Sequence, residues 1–214
     1  MLLDGLILAG GANRRMHGRY KGSLRLGNRT FVECVRAELA KCTGQIWISY
    51  GTKRWEDVPG CVAVMDRYPD CGPAGGLHAG LMAVKEKGRD GVLTAACDMP
   101  SIKAGLYEHL LRKMKRHQEE TGRMPDGVVP MADGRMHPLA AVYRTTLTDI
   151  LEKHLRARLY RVTDILRDAD ILYVDLSERP DLIRMLSNIN TPEEYHRIKG
   201  ESRIKGQDTN IRME

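Results

Sequence analysis

Apolar and polar positions alternate along the 214 residues with two different periods. Short apolar-rich runs stand at Leu6-Ile7-Leu8-Ala9, Gln45–Tyr50, Cys61–Met65, Val92–Ala96, Val128-Val129, Leu139–Tyr143 and Ile171–Val174. Each is too short for a helix and reads as a strand. Between them apolar residues recur at helical spacing: Phe31, Val35 and Leu39; Leu77, Leu81 and Val84; Leu106, Leu110, Leu111 and Met114; Leu147, Ile150, Leu151 and Leu155; Val162, Ile165, Leu166 and Ala169. Thr30 and Glu33 form a capping box before the first of these helices, and Thr43-Gly44 ends it. Asp70-Cys71-Gly72-Pro73-Ala74-Gly75-Gly76 reads as a turn-rich loop, and Thr191-Pro192-Glu193-Glu194 opens a last helix with a cap, an N1 proline and a capping-box Glu. This alternation predicts a single α/β domain over residues 1–200 with a mostly parallel, doubly wound sheet. Residues 201–214 are polar without periodicity and read as a loose tail.

A sheet of this kind binds ligands at the carboxyl ends of its strands. Gly10-Gly11, Asp66 and Asp98 each sit just past a predicted strand and so fall at one crevice. The first of these places is the most informative. From Leu6 to Lys21 the chain reads LILAGGANRRMHGRYK, and no acidic residue occurs between Asp4 and Glu33. A glycine turn at a strand end exposes backbone N–H groups that cup an anion, and Arg14, Arg15, Arg19 and Lys21 follow at once. That combination suits a triphosphate. Two familiar phosphate motifs fail here. The second and third glycines of a dinucleotide fingerprint would fall on Ala12 and Arg15, and Lys21 lacks both the preceding glycine and the following Ser or Thr of a P-loop.

Composition narrows the partners. A net charge of +6 suits an anionic ligand without demanding nucleic acid, and the chain is only 5% aromatic, which argues against a base-stacking surface. No apolar run approaches the ~20 residues needed to span a membrane, and the first residues lack the pattern of a signal peptide. Five cysteines, an odd number with no C-x-x-C pair, argue for reduced thiols in the cytoplasm and against a disulfide framework or a zinc site.

Asp98 follows a fully apolar strand, which holds its carboxylate at the sheet edge. Mg²⁺ needs only one or two protein carboxylates besides phosphate oxygens and water, so Asp98 is the candidate metal ligand. The alternative is that it caps the turn before Pro100. Asp66 suits a base, a metal or the backbone. The glycines of the loop from Gly72 allow close approach to a ligand or serve a tight connection. Asn188 and Asn190 reach metal-bound phosphate or satisfy turn backbone. His137 is a substrate contact or a structural histidine, and Arg156, Arg158 and Arg161 hold a phosphorylated acceptor or are solvated.

Taken in order, the motifs L-A-G-G at Leu8–Gly11, Arg15-Met16, Lys21, Asp66, G-P-A-G at Gly72–Gly75, C-D-M-P at Cys97–Pro100, His137-Pro138, Arg161-Val162 and N-I-N-T-P at Asn188–Pro192 resemble the molybdenum cofactor guanylyltransferase family. The resemblance runs from about Leu6 to Ile198. It implies a three-layer Rossmann-like nucleotidyltransferase fold, GTP as donor, molybdopterin or Mo-molybdopterin as acceptor, Mg²⁺ as cofactor, and contact with cofactor-delivery proteins or receiving molybdoenzymes. Carried over by position, Leu8, Ala9, Gly10, Gly11 and Gly75 contact the nucleotide, Lys21 and Arg15 its phosphates, Asp66 the guanine-nucleoside end, and Asp98 with Asn190 the Mg²⁺. The implied catalytic set is Lys21, Asp98 and Arg15. Members often carry an Asn after the second strand, where this chain has Ser49-Tyr50-Gly51. Competing expectations are a cytidylyltransferase, a sugar-phosphate nucleotidyltransferase, and a non-enzymatic cofactor carrier.

Overall fold

The computed structural model describes residues 1–10, 21–51, 57–191 and 193–198. At the centre of the main sheet is β1 (Leu3–Leu8), parallel to β4 (Ile46–Ser49) on one side and to β6 (Gly91–Ala96) on the other. Beyond β4 lies β5 (Val62–Val64), also parallel. On the far side of β6 comes β9 (Val142–Arg144), antiparallel both to β6 and to β7 (Gly127–Ala132), and β10 (Ile171–Asp175) closes that edge parallel to β7. The order is therefore β10-β7-β9-β6-β1-β4-β5, with short β8 (Arg135–Met136) paired to β7. A two-stranded hairpin, β2 (Arg25–Leu26) with β3 (Arg29–Thr30), stands apart from it.

Helices cover both faces, which explains why the central strands are unbroken apolar runs. On one face α1 (Phe31–Leu39), α3 (Ala104–Thr121) and α6 (Pro180–Ile183) bury Val35, Leu39, Leu106, Leu110 and Leu182. On the other, α2 (Pro73–Glu86), α4 (Thr148–Arg156) and α5 (Val162–Ile165) bury Leu77, Leu81, Leu151, Leu155 and Ile165. Several of the buried polar groups inside are paired. Trp47 Nε1 donates to Asp4 at 2.8 Å, and the Thr94 hydroxyl exchanges hydrogen bonds with the Ala141 backbone at 3.1 and 3.2 Å, stitching β6 to the segment entering β9.

The Thr30–Glu33 capping box forms as expected, with the Glu33 N–H donating to Thr30 Oγ1 at 3.2 Å and Glu33 accepting from the Thr30 N–H at 2.6 Å. Other elements depart from the periodic reading. α3 runs to Thr121 because ion pairs at i,i+4, Lys115 with Glu119 and Arg116 with Glu120, carry it past its apolar stripe. It stops at Gly122, whose φ of 71° is left-handed. Leu139–Ala141 are not strand: the Ala140 N–H donates to the His137 carbonyl, closing a turn, and β9 begins at Val142. α2 begins at Pro73, so Gly75 and Gly76 lie inside the helix and not in a loop. α6 has no periodic signal, being a single turn opened by Pro180. A further helix spans 193–198 and is capped as expected, the Glu194 N–H donating to Thr191 Oγ1 at 3.2 Å. All five cysteines are free thiols. The 201–214 segment and Pro192 lie outside the described residues.

One buried group stands out on the α2 face. His78 is 1% exposed, packs edge-on against Tyr68 at a 5.2 Å centroid distance, and neither ring nitrogen has a hydrogen-bond partner among the described residues. Burial, reinforced by Arg67 and opposed by Glu152, pushes its pKa below the ordinary histidine range. The native state thus holds His78 neutral while the unfolded chain takes up a proton, so stability falls as pH drops below about 6.5. Replacing His78 by Leu removes that proton uptake and an unsatisfied polar group. Urea midpoints taken between about pH 7.5 and about pH 5.5 are expected to fall less steeply for His78→Leu than for wild type. Identical slopes would show that His78 is not the group responsible.

Candidate active site

Every strand-end residue singled out in the sequence and described in the structure falls along one edge of the sheet. In the β1–β6 register Leu8 pairs with Ala96, and the Cys97 N–H donates to the Leu8 carbonyl at 3.0 Å. Gly10 and Asp98 therefore lie two residues beyond matched positions on adjacent parallel strands, which run about 4.8 Å apart. Leu8 and Ala9 are buried, and Ala9 donates its N–H to the Ser49 carbonyl at 2.7 Å, tying the turn after β1 to the end of β4.

The turn after β1 and the turn after β4 are in backbone contact. A Cβ added at Gly10 would stand 2.9 Å from the Gly51 nitrogen and 3.1 Å from its Cα, and Gly51 itself has a φ of 76°. Both positions need glycine for this reason. Asp66, just past β5, donates its N–H to the Gly51 carbonyl at 3.2 Å and accepts the Ser49 hydroxyl on Oδ1 at 2.6 Å. Burial raises its pKa, and the Ser49 hydrogen bond opposes the rise. Gly75, in the first turn of α2, faces the same carboxylate: a Cβ there would lie 3.1 Å from Asp66 Oδ2.

On the other flank the chain returns late in the sequence. The Ile189 N–H donates to the Asp98 carbonyl at 2.9 Å, which brings the Asn188–Asn190 loop against the end of β6. Glu194 then accepts from the Asn190 and Thr191 N–H groups at 2.6 and 3.0 Å, fixing that loop. Asp98 is half-buried. Among the described residues no group of three or more His, Cys, Asp or Glu side chains gathers as a metal site. A single strand-end carboxylate with an amide one residue beyond its backbone contact is a sparse oxygen donor set, the kind that suits a phosphate-bound Mg²⁺.

Lys21 opens a turn of 3-10 helix, Lys21–Ser23, on the way to the hairpin. Its side chain is not described, and Gly11, Arg15 and Met16 lie outside the described residues. The second basic cluster is largely engaged: Arg156 binds Glu152 at 2.7 Å and the Tyr68 hydroxyl at 3.3 Å, and Arg161 faces Asp164 at 3.9 Å. His137 is half-buried, bonds through its backbone to Pro130 and Ala140 within its own hairpin, and is held below the usual histidine range by burial. Ser49 is the member of this edge that the sequence motifs do not single out as functional. Its sequence signals are a hydroxyl at the last position of an apolar strand and its place in the Ser49-Tyr50-Gly51 stretch, where the resembled family often carries an Asn.

A glycine turn after β1, Asp66 after β5 and Asp98 after β6 thus share the carboxyl edge of a mostly parallel sheet, the place where such sheets bind ligands. The chain belongs to the MobA-like NTP transferase domain family, whose description matches residues 5–171. Relatives named probable molybdenum cofactor guanylyltransferase include one from Carboxydothermus hydrogenoformans, 27% identical over 90% of this chain and 92% of its own length. Another, from Mycobacterium bovis, is 31% identical over 91% of this chain and 92% of its own. The molybdopterin-guanine dinucleotide biosynthesis protein A of Archaeoglobus fulgidus shares the fold, with a TM-score of 0.72 at 22% identity over 92% of this chain and 97% of that one. So does the 2-C-methyl-D-erythritol 4-phosphate cytidylyltransferase of Thermus thermophilus, with a TM-score of 0.65 at 14% identity over 95% of this chain and all of that one. Among the described residues no helix is long and apolar enough to cross a membrane.

Proposed function

We propose that the chain transfers GMP from GTP to the terminal phosphate of molybdopterin, with or without its metal, yielding the guanine dinucleotide cofactor and pyrophosphate. The observation that supports the reading is the β1–β6 register, in which Leu8 pairs with Ala96, so that the Gly10 turn and Asp98 both follow matched positions on adjacent parallel strands. The names of the relatives, matched over nearly their whole length, supply the acceptor and the base.

In this reading an oxygen of the acceptor phosphate attacks the α-phosphorus of GTP in line. A new P–O bond forms there, the bond to the α,β-bridging oxygen breaks, and pyrophosphate leaves with that electron pair. The attacking oxygen is already anionic, so no general base is needed. Backbone N–H groups of Gly10 and Gly11, with Arg15 and Lys21, hold the phosphates in line and neutralise charge. Leu8, Ala9, Gly75 and Asp66 receive the nucleoside. Asp98 and Asn190 are the residues that would hold Mg²⁺, which when bound supplies charge neutralisation at the phosphates.

The direct test is pyrophosphate release on mixing the protein with GTP, Mg²⁺ and molybdopterin. Release that needs all three is expected. Release with CTP in place of GTP, or with a sugar phosphate in place of molybdopterin, would reassign the reaction. A carrier would release none.

A further inference from the structure

Asp66 is held more firmly than a residue that merely ends a strand requires. Its N–H is bonded to the Gly51 carbonyl and its Oδ1 to the Ser49 hydroxyl, at 3.2 and 2.6 Å. Ser49 is itself fixed. It is 1% exposed, its carbonyl accepts the Ala9 N–H, and its Cα pairs with Val64 in the β4–β5 register. The first turn of α2 lies close against its hydroxyl, since a Cβ at Gly76 would stand 2.6 Å from Ser49 Oγ.

The other oxygen, Oδ2, has no hydrogen-bond donor and no cation against it among the described residues. It looks between two glycines, 3.1 Å from where a Gly75 Cβ would be and 3.9 Å from a Gly51 Cβ. Among the described residues, the groups around it add no positive charge. They are Ser49 from β4, the Tyr68 carbonyl, and the loop residues Asp70 and Cys71, the thiol of Cys71 pushed up by burial and by Asp66. A half-buried anionic acceptor in such a frame selects a ligand edge rich in N–H donors and repels one rich in acceptors. Guanine presents N1–H beside its 2-amino group, whereas cytosine presents N3 and O2 as acceptors beside a single amino group.

We propose that Ser49 is a positioning residue for base selection: its hydroxyl clamps one oxygen of Asp66 so that the other is presented between Gly51 and Gly75 to the N–H edge of guanine. The proposal rests on the reading of the chain as a guanylyltransferase and gives its choice of base a physical origin.

Titration calorimetry with GTP, ITP and CTP on the full chain, with Mg²⁺, tests it in wild type, Ser49→Ala and Ser49→Thr. ITP lacks the 2-amino donor. Ser49→Ala is expected to weaken GTP about tenfold and ITP much less, so that the preference for GTP shrinks, with Tm unchanged. Ser49→Thr, which keeps the hydroxyl, is expected to restore the preference. Removing the hydrogen bond also lets the Asp66 pKa rise further, so GTP affinity in Ser49→Ala is expected to be lost at a higher pH on acidification than in wild type. An unchanged GTP-to-ITP ratio in Ser49→Ala overturns the proposal. Equal loss for both nucleotides together with a lower Tm also overturns it, since that is the signature of packing alone. If GTP binds and is discriminated yet no acceptor releases pyrophosphate, the function reading fails while the role of Ser49 stands. If wild type does not bind GTP, both fail.

Discussion

Asp98→Asn is expected to lower turnover of GTP and molybdopterin by about 10²–10³-fold while leaving the fold intact. The substitution keeps size and shape and removes only charge, at a half-buried position beyond the end of β6. The backbone contact that matters for architecture, the Ile189 N–H donating to the Asp98 carbonyl at 2.9 Å, does not involve the side chain. Loss of rate without loss of Tm would therefore separate phosphate chemistry from stability. Steady-state pyrophosphate release and a thermal melt on the same preparation give both numbers. Turnover within about threefold of wild type would remove Asp98 from the proposed metal site.

The second large effect is expected at Gly10. In Gly10→Ala the new methyl runs into the Tyr50–Gly51 backbone, with the Gly51 nitrogen at 2.9 Å, the Gly51 Cα at 3.1 Å and the Tyr50 carbonyl carbon at 3.2 Å. Gly51 has little room to retreat. Its φ of 76° is already left-handed, and its carbonyl accepts the Asp66 N–H. Overpacking of this kind costs about 1–3 kcal/mol, and here the displaced atoms frame the phosphate turn and the Asp66 pocket together. GTP affinity is expected to fall at least about tenfold alongside a lower Tm. Gly105→Ala is the control: a Cβ there meets nothing within 4 Å and the position is helical, so a neutral or slightly raised Tm is expected. If Gly10→Ala bound GTP like wild type, the contact between the two turns would not shape the site.

What the sequence discloses about this molecule follows the range of the forces involved. The capping boxes at Thr30–Glu33 and Thr191–Glu194 are local hydrogen-bond patterns, and the described atoms form both. The apolar strands at Leu6–Leu8 and Val92–Ala96 are legible because helices on both faces bury them completely. Gly75 and Gly76 mislead a reader of propensities. They lie in a helix because α2 must press against Ser49 and Asp66, a tertiary demand that outweighs the local preference of glycine for turns. The antiparallel sense of β9 is likewise invisible in a three-residue strand, since direction is set by pairing with β6 and β7. At the site, strand ends reveal Gly10, Asp66 and Asp98. The Ser49–Asp66 hydrogen bond joins residues 17 apart, one at the end of β4 and one just past β5, and needs the register to be seen.

The bond from Ile189 to Asp98 carries a consequence for how the protein is made. It joins residues 91 positions apart, and β10 reaches its place beside β7 only shortly before Ile189 emerges. During synthesis the residues of β1, β4, β5 and β6 are all made long before the segment that brings Asn190 toward the end of β6. A nascent chain halted near Leu186 thus lacks the contact that draws Asn190 toward Asp98, and in the proposed reading the two Mg²⁺ ligands come together only once Ile189 has docked on the end of β6.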